Sequence, residues 1–105
     1  MSKAYELGLY EKAMPGTLTW KERLEAAKAA GYDYVEISID ATEEKIARLD
    51  MDRESRLELV KTMYETGIPI RTMCVSALTK YAIGSSDEAC CARGMAILEK
   101  SLQLA

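Results

Sequence analysis

The sequence contains no histidine among its 105 residues. Histidine is the commonest transition-metal ligand and the commonest general base near neutral pH, so its absence removes both. Any chemistry must therefore use carboxylates, lysine, tyrosine or cysteine, and a complete Ser-His-Asp or Cys-His catalytic device is excluded. The three cysteines are odd in number, and Cys90 and Cys91 are adjacent while Cys74 stands apart. This spacing suits neither a zinc knuckle nor a disulfide framework and is typical of reduced, buried thiols.

Long apolar runs and basic clusters are also missing. No stretch of about 18 apolar residues occurs, and the start of the chain has no apolar segment behind a basic head, so neither a membrane span nor a secretory signal is expected. Fourteen Lys and Arg against seventeen Asp and Glu give a formal charge of −3. Because no two basic residues are adjacent, a surface for the phosphate backbone is not expected. These features predict a cytoplasmic protein that binds neither nucleic acid nor membranes.

The pattern of the residues that are present predicts a strand followed by a helix. Residues 6–10 form a short apolar run typical of a strand. Thr19 and Glu22 have the spacing of a capping box, and apolar residues then recur at helical intervals until Gly31. The first unit is therefore a strand, a loop and a helix that ends at a glycine.

The same pattern occurs a second time. Residues 34–39 alternate strictly between apolar and polar side chains, which predicts a strand. A possible helical turn over residues 42–49 leads to Asp52, which can cap a helix that ends before Gly67. This second unit again ends at a glycine.

A third unit follows. Residues 70–76 are rich in β-branched and apolar residues and predict a strand, and Ser85 with Glu88 resembles a capping box for a helix from about Ser86 to the last residue. The three strand starts lie about 28 and 36 residues apart, which is too long for hairpins and fits parallel strands with right-handed crossovers. The last helix stops in mid-pattern without a capping residue, so the chain is expected to be cut from a longer one.

The polar face of the second strand distinguishes two kinds of parallel sheet. Strands covered by helices on both faces are almost uniformly apolar, whereas this strand carries Tyr34, Glu36, Ser38 and Asp40 on one face. Such a face suits the interior of a (β/α)₈ barrel, which needs about 250 residues and eight units. We therefore predict an α/β fold of three parallel βα units, a partial TIM barrel, with residues 1–105 as the amino-terminal βαβαβα portion of one barrel domain. The other inward positions are Gly8, Tyr10, Thr72, Cys74 and Ser76.

Active sites of such barrels lie at the carboxyl ends of the strands. Glu36 belongs either to a polar, substrate-binding network or to a structural pair with Lys12, because an inward carboxylate is unfavourable unless paired. Asp40 either faces the site or caps the turn at residues 41–44. Lys80 either contacts phosphate or is a solvated loop lysine. No catalytic residue and no metal ligand is assigned; the candidate substrate-binding residues are Glu11, Lys12, Glu36, Asp40, Ser76 and Lys80.

The sequence resembles one family over nearly its whole length. It is similar to the amino-terminal part of the L-ribulose-5-phosphate and L-xylulose-5-phosphate 3-epimerases, also called hexulose-6-phosphate isomerases. The motifs Y-E-K-A, W-x-E-R-L and D-x-V-E-x-S-x-D carry the resemblance in combination. They lie within LGLYEKAMPG (7–16), WKERLEAAKAAGYDYVEISID (20–40), RLDMDRESRLELV (48–60), ETGIPIRTMCVSA (65–77) and IGSSDEA (83–89).

The resemblance implies a xylose-isomerase-like barrel of ascorbate and pentulose catabolism. Such an enzyme uses a divalent metal (Mn, Zn or Mg) and two carboxylates to move a proton at carbon 3 of a ketopentose phosphate. The family's metal ligands, two Glu, an Asp and a His, lie on later strands and have no counterpart here. Relatives usually carry His and Arg in the loop after the third strand, where this chain has Leu78, Thr79 and Lys80.

Two hypotheses of function follow. In the first, the chain is part of a sugar-phosphate 3-epimerase or isomerase that acts on a small sugar phosphate, and it is inactive alone because it lacks the metal site. In the second, it is a non-catalytic α/β module that self-associates. Either hypothesis predicts a homo-oligomer, because an open barrel seam must be covered. An endonuclease of the same fold is disfavoured by the acidic charge and the missing basic groove.

Overall fold

Three parallel strands alternate with helices in the computed structural model, which describes residues 3–105. The strands lie in one sheet in the order β1-β2-β3, and β1 pairs with β2 in parallel. The predicted three parallel βα units are confirmed, in a sheet that is not a closed barrel. The elements are β1 (Gly8–Tyr10), α1 (Trp20–Ala29), β2 (Tyr34–Ser38), α2 (Glu43–Ile46), α3 (Arg53–Thr66), β3 (Ile70–Cys74), α4 (Ala77–Lys80) and α5 (Glu88–Leu104), with 3-10 turns at Glu11–Ala13 and Ala47–Asp50.

The described chain packs as two compact units. The first contains the residues up to Ile37 and Asp52–Thr72, and the second contains Ser38–Met51 and Met73–Ala105. Assignment of residues 1–105 to one barrel domain stays a prediction, and residues 1 and 2 lie outside the described part of the chain.

The first unit has its own apolar core. Leu24 and Ala27 lie one turn apart on α1 and are fully buried. They pack with Val35 of β2 and with Ile68, which precedes β3. Burial of each large aliphatic side chain contributes about 1.5–3 kcal/mol, so this cluster fixes α1 against the strands. The face of β2 that was predicted to be apolar is buried, but Ser38, at the end of the opposite face, is also fully buried.

The second unit has a separate core. Ile39, Leu49, Ala77 and Ile97 form a buried cluster that holds α5 against the segment after β2. Helix α5 also contacts the chain directly after α4 at Gly94, where an added Cβ would lie 2.1 Å from the carbonyl oxygen of Tyr81. Two ion pairs add to this packing: Arg93 with Glu43 and Lys100 with Asp50, each at 2.7 Å. The Glu43 carboxylate raises the pKa of the Arg93 guanidinium above its ordinary value.

Most predicted helix boundaries are confirmed. Thr19 Oγ1 accepts from the Glu22 N–H, and a Glu22 side-chain oxygen accepts from the Thr19 N–H, which completes the capping box. Asp52 caps α3 by accepting from the Ser55 N–H at 2.8 Å. Gly67 ends α3 in the left-handed region with φ of +75°, a backbone conformation that residues with a Cβ atom rarely adopt.

The structure corrects the prediction for the third helix. The cap is Asp87, not Ser85, because the Asp87 carboxylate accepts from the first N–H groups of α5, at Ala89 and Cys90. The Ser85 hydroxyl accepts from the Asp87 N–H instead and shapes the approach to the helix. The short helix α4, which stands where a loop was expected, was not predicted. The strands β1 and β3 are also shorter than the predicted 6–10 and 70–76.

The cap of α3 makes part of the stability depend on pH. Hydrogen bonds from Ser55 hold the pKa of Asp52 below its ordinary value. The ionised form is thus favoured in the folded state, so its stabilisation is present above about pH 4, the unfolded pKa, and is lost as pH falls through the folded pKa. We expect Asp52→Asn, which keeps a capping oxygen, to flatten the fall in unfolding free energy below pH 4. Urea unfolding at pH 7 and pH 3 measures this, and equal declines in both proteins would contradict it.

Candidate functional site

Glu36 on β2 is held by a neighbouring hydroxyl of the first unit. Its side chain is half-buried, and Oε2 accepts a hydrogen bond from Thr72 Oγ1 at 2.8 Å. Thr72 lies on β3 and is exposed, so the pair lies at a face that solvent reaches. An acceptor that already has one fixed hydrogen bond keeps a defined orientation and retains lone pairs for a second donor. The pair can therefore present a carboxylate to the hydroxyl groups of a ligand.

Glu11 has a different environment from the one its position suggested. It follows β1 directly, but it is 2% exposed and lies in the 3-10 turn. Its Oε2 is 3.8 Å from Nε of Arg23, which is also buried. A buried carboxylate needs such a countercharge. Glu11 therefore holds the loop after β1, and the next residue, Lys12, is the exposed cation of that loop.

The ring of Tyr34, the first residue of β2, lies on the same inward face as Glu36. The Tyr34 ring lies against β1 so closely that a Cβ on Gly8 would be 2.3 Å from it. The Arg71 guanidinium lies 5.2 Å from the centroid of this ring and pairs with Glu6. The absence of a side chain at Gly8 is thus what lets Tyr34 occupy this place. Alternation placed Gly8 and Tyr34 inward, but not in contact.

Asp40, in the second unit, caps a turn, which is the alternative to facing the site. Its Oδ1 accepts from the N–H of Thr42 at 2.9 Å and from the Thr42 hydroxyl at 2.6 Å. Thr42 in turn caps α2 by accepting from the Lys45 N–H. Asp40 therefore stabilises the turn that begins α2, as an Asx-type motif does.

Ser76 and Asp40 are brought near each other by the backbone. The N–H of Ala77 donates to the carbonyl of Ile39 at 3.0 Å. This hydrogen bond places the backbone of Asp40, which follows Ile39, near that of Ser76, which precedes Ala77. The half-buried Ser76 directly precedes α4, and its hydroxyl accepts no capping hydrogen bond from that helix. Lys80 ends α4, is exposed, and has its Nζ 5.3 Å from the Tyr81 ring centroid. A role for these residues in binding stays a prediction.

Sequence reasoning missed Arg23 and the partnership between Thr72 and Glu36. Arg23 was part of the W-x-E-R-L motif, but nothing in helical spacing distinguishes a buried arginine from a surface one. Thr72 was placed on the inward face by alternation, whereas its contact with Glu36 depends on the alignment of β2 with β3. Only the strand pairing in the fold makes this contact visible.

The family resemblance implies a divalent metal in the complete enzyme. Over positions 3–105, no three His, Cys, Asp or Glu side chains are grouped so that they could hold a metal ion. The side chains present here therefore do not fit such a metal. No helix within that range is both long and apolar enough to cross a membrane.

Comparison with known proteins identifies the fold family and its relatives. The family model for the xylose isomerase-like TIM barrel matches residues 24–105. The chain is 47% identical over all 105 residues to the L-ribulose-5-phosphate 3-epimerase UlaE of Escherichia coli O157:H7, and equally to that of Shigella boydii serotype 18. The match covers 100% of this chain, but the chain spans only 37% of the length of each of these relatives. By sequence and by its alternating parallel strands and helices, the chain belongs to the xylose isomerase-like TIM-barrel family.

Proposed function

We propose that this chain forms the first three βα units of a sugar-phosphate 3-epimerase or isomerase, with a ketopentose 5-phosphate or hexulose 6-phosphate as substrate. The observation that carries the proposal is the 47% identity to L-ribulose-5-phosphate 3-epimerases over every residue of the chain. The proposed location of the protein is the cytoplasm. Its proposed ligand is a small molecule rather than a nucleic acid or a membrane.

The role of this part of the enzyme is to bind substrate. The Glu36 carboxylate, oriented by Thr72, accepts hydrogen bonds from sugar hydroxyls. The exposed Lys12 supplies a positive charge for an anionic group on the ligand. Asp40, Ser76 and Lys80 stand at or after the ends of the next two strands and are further candidates. In the complete enzyme a divalent metal, held by residues other than those described here, would polarise the substrate carbonyl.

A non-catalytic, self-associating α/β module is the second candidate function. The sheet order favours it, because β1 and β3 are outermost and their outer edges have no strand partner within residues 3–105. Such edges are templates for pairing with another chain. The two functions differ in whether the chain can restore an enzyme.

A chimaera tests the proposal directly. Residues 1–105 replace the matching segment of the Escherichia coli relative, and interconversion of L-ribulose 5-phosphate and L-xylulose 5-phosphate is measured. We expect an active chimaera, while the 105-residue chain alone, with Mn²⁺ or Zn²⁺ added, turns over neither sugar. A folded but inactive chimaera, or metal-dependent turnover by the chain alone, would contradict the proposal.

Glu36→Gln in the chimaera tests the binding role. Loss of the charge is expected to lower kcat/KM by ten-fold or more, about 1.4 kcal/mol of transition-state stabilisation, with little change in the thermal midpoint. Glu58→Gln on the exposed surface of α3 is the matched control and should leave kcat/KM unchanged. A large fall in thermal midpoint with unchanged kinetics would show instead that Glu36 is a structural group.

A further inference from the structure

One buried side chain contacts both ends of the loop that joins β1 to α1. Arg23, in the first turn of α1, donates from Nη2 to the carbonyl of Gly16 at 3.1 Å. Its Nε lies 3.8 Å from Oε2 of Glu11. Glu11 is the first residue after β1, and Gly16 comes shortly before the cap of α1. A single guanidinium thus spans the loop.

The environment of this guanidinium is unusual for a helix residue near a surface loop. The side chains of Arg23 and Glu11 are only 8% and 1% exposed. The guanidinium carbon lies 4.9 Å from the centroid of the Trp20 ring, within the range of a cation–π contact. Nε is buried without a hydrogen-bond partner among the described residues, so charge attraction to Glu11 and the ring hold this end. Burial of a charge pair is unfavourable unless its geometry is fixed by several contacts.

Helix α1 has other sources of stability. Its amino terminus is closed by the Thr19 and Glu22 capping box, and its inner face is fixed by Leu24 and Ala27. Arg23 is therefore not required to begin the helix or to fill the apolar core. Its hydrogen bond and its ion pair are both made to the loop, at Gly16 and Glu11, which is consistent with a role in fixing the loop.

The loop carries the candidate cation of the site. Lys12 directly follows Glu11 and is exposed, so its backbone position depends on the contact between Glu11 and Arg23. We infer that Arg23 is a positioning residue that fixes the β1–α1 loop so that Lys12 presents its charge to the phosphate of the substrate. This inference rests on the proposed function for the substrate, but not for the contacts of Arg23.

Replacement of Arg23 by lysine or methionine tests the role in two ways. Lysine keeps the charge but not the planar fork, and so cannot reach Glu11 and Gly16 together. Hydrogen exchange of the 105-residue chain should become about ten-fold faster or more for amides at 11–16 and stay similar for the core amides of α1, because the loop opens locally. Lys21→Met, on the exposed side of the same helix turn, is the matched control.

Kinetics of the chimaera provide the second readout. Arg23→Lys is expected to raise KM for L-ribulose 5-phosphate about ten-fold while kcat changes by less than about three-fold, because uniform binding is lost. Should Arg23→Met fail to fold, Arg23→Lys, which keeps the charge, and Glu11→Gln, which keeps the side-chain length, carry the test. Unchanged exchange at residues 11–16 overturns the inference, as does a faster loop with unchanged KM.

An inactive wild-type chimaera would overturn the proposed function without deciding this inference. The readout is then binding to the 105-residue chain, with L-ribulose 5-phosphate and inorganic phosphate as separate probes followed by the amide shift of Lys12. A shift that saturates in the wild type and is lost in Arg23→Lys supports the positioning role, and no shift in the wild type overturns it.

Discussion

Leu24→Ala is expected to destabilise the chain by about 2–5 kcal/mol, the range for removing a large aliphatic side chain from a packed core. Leu24 is fully buried, and it contacts the core of the first unit formed with Ala27, Val35 and Ile68. The loss has two parts, the transfer free energy of the removed atoms and the cavity that remains. Urea unfolding followed by circular dichroism measures the change.

Leu57→Ala on α3 is the matched control. The same chemical change is made at a side chain that is 54% exposed, so little apolar area returns to water and no cavity forms. We expect a change within about 0.5 kcal/mol, typical of surface positions. Equal losses of unfolding free energy for Leu24→Ala and Leu57→Ala would contradict the burial of Leu24 in the core of the first unit.

The sequence predicted best those features that are decided within a few residues. The capping box of Thr19 and Glu22 and the cap at Asp52 are hydrogen bonds between a side chain and an N–H three residues later, so both groups are visible in the sequence. Strict alternation over 34–39 likewise predicted the burial of the apolar face of β2, but it did not predict the burial of Ser38 on the other face. The predicted cap of the third helix was wrong because two acceptors, Ser85 and Asp87, lie near the start of that helix. The Asp87 carboxylate is the one that accepts from the helix N–H groups.

Contacts between distant residues could not be predicted in the same way. The ion pairs of α5, Arg93 with Glu43 and Lys100 with Asp50, join residues fifty positions apart. No periodicity links such residues, and surface charges have many possible partners. They become visible only in the folded second unit, where α5 packs against the segment after β2.

The candidate site shows both cases. The strand-end rule named Lys12 and alternation named Glu36, and the structure leaves Lys12 exposed and Glu36 half-buried. It also named Glu11, which is buried against Arg23, because a carboxylate in the turn after β1 can point into the protein as readily as out of it. Position along a strand predicts a location, whereas the direction of a side chain depends on the residues packed around it.

The 105-residue chain is expected to sediment at micromolar concentration with at least twice its mass of 11.7 kDa. In a three-stranded sheet with β2 in the centre, β1 and β3 each leave one edge of N–H and C=O groups without a strand partner among the described residues. Thr72 at the β3 edge is exposed, and the Tyr10 and Tyr34 rings of the inward face are only half-buried. Pairing between copies would satisfy these edges and cover this face.

Thr72→Lys is expected to shift this association towards the monomer, because an edge-strand lysine opposes strand pairing through its charge. Tyr64→Lys is the matched control on α3, because the native tyrosine is 85% exposed and lies on a helix rather than on a strand. Loss of association in Tyr64→Lys but not in Thr72→Lys would mean that copies meet through the helix. A wild-type monomer with sharp tertiary signals would mean that the sheet edges are stable without a partner, and the comparison with an open barrel seam would then be wrong.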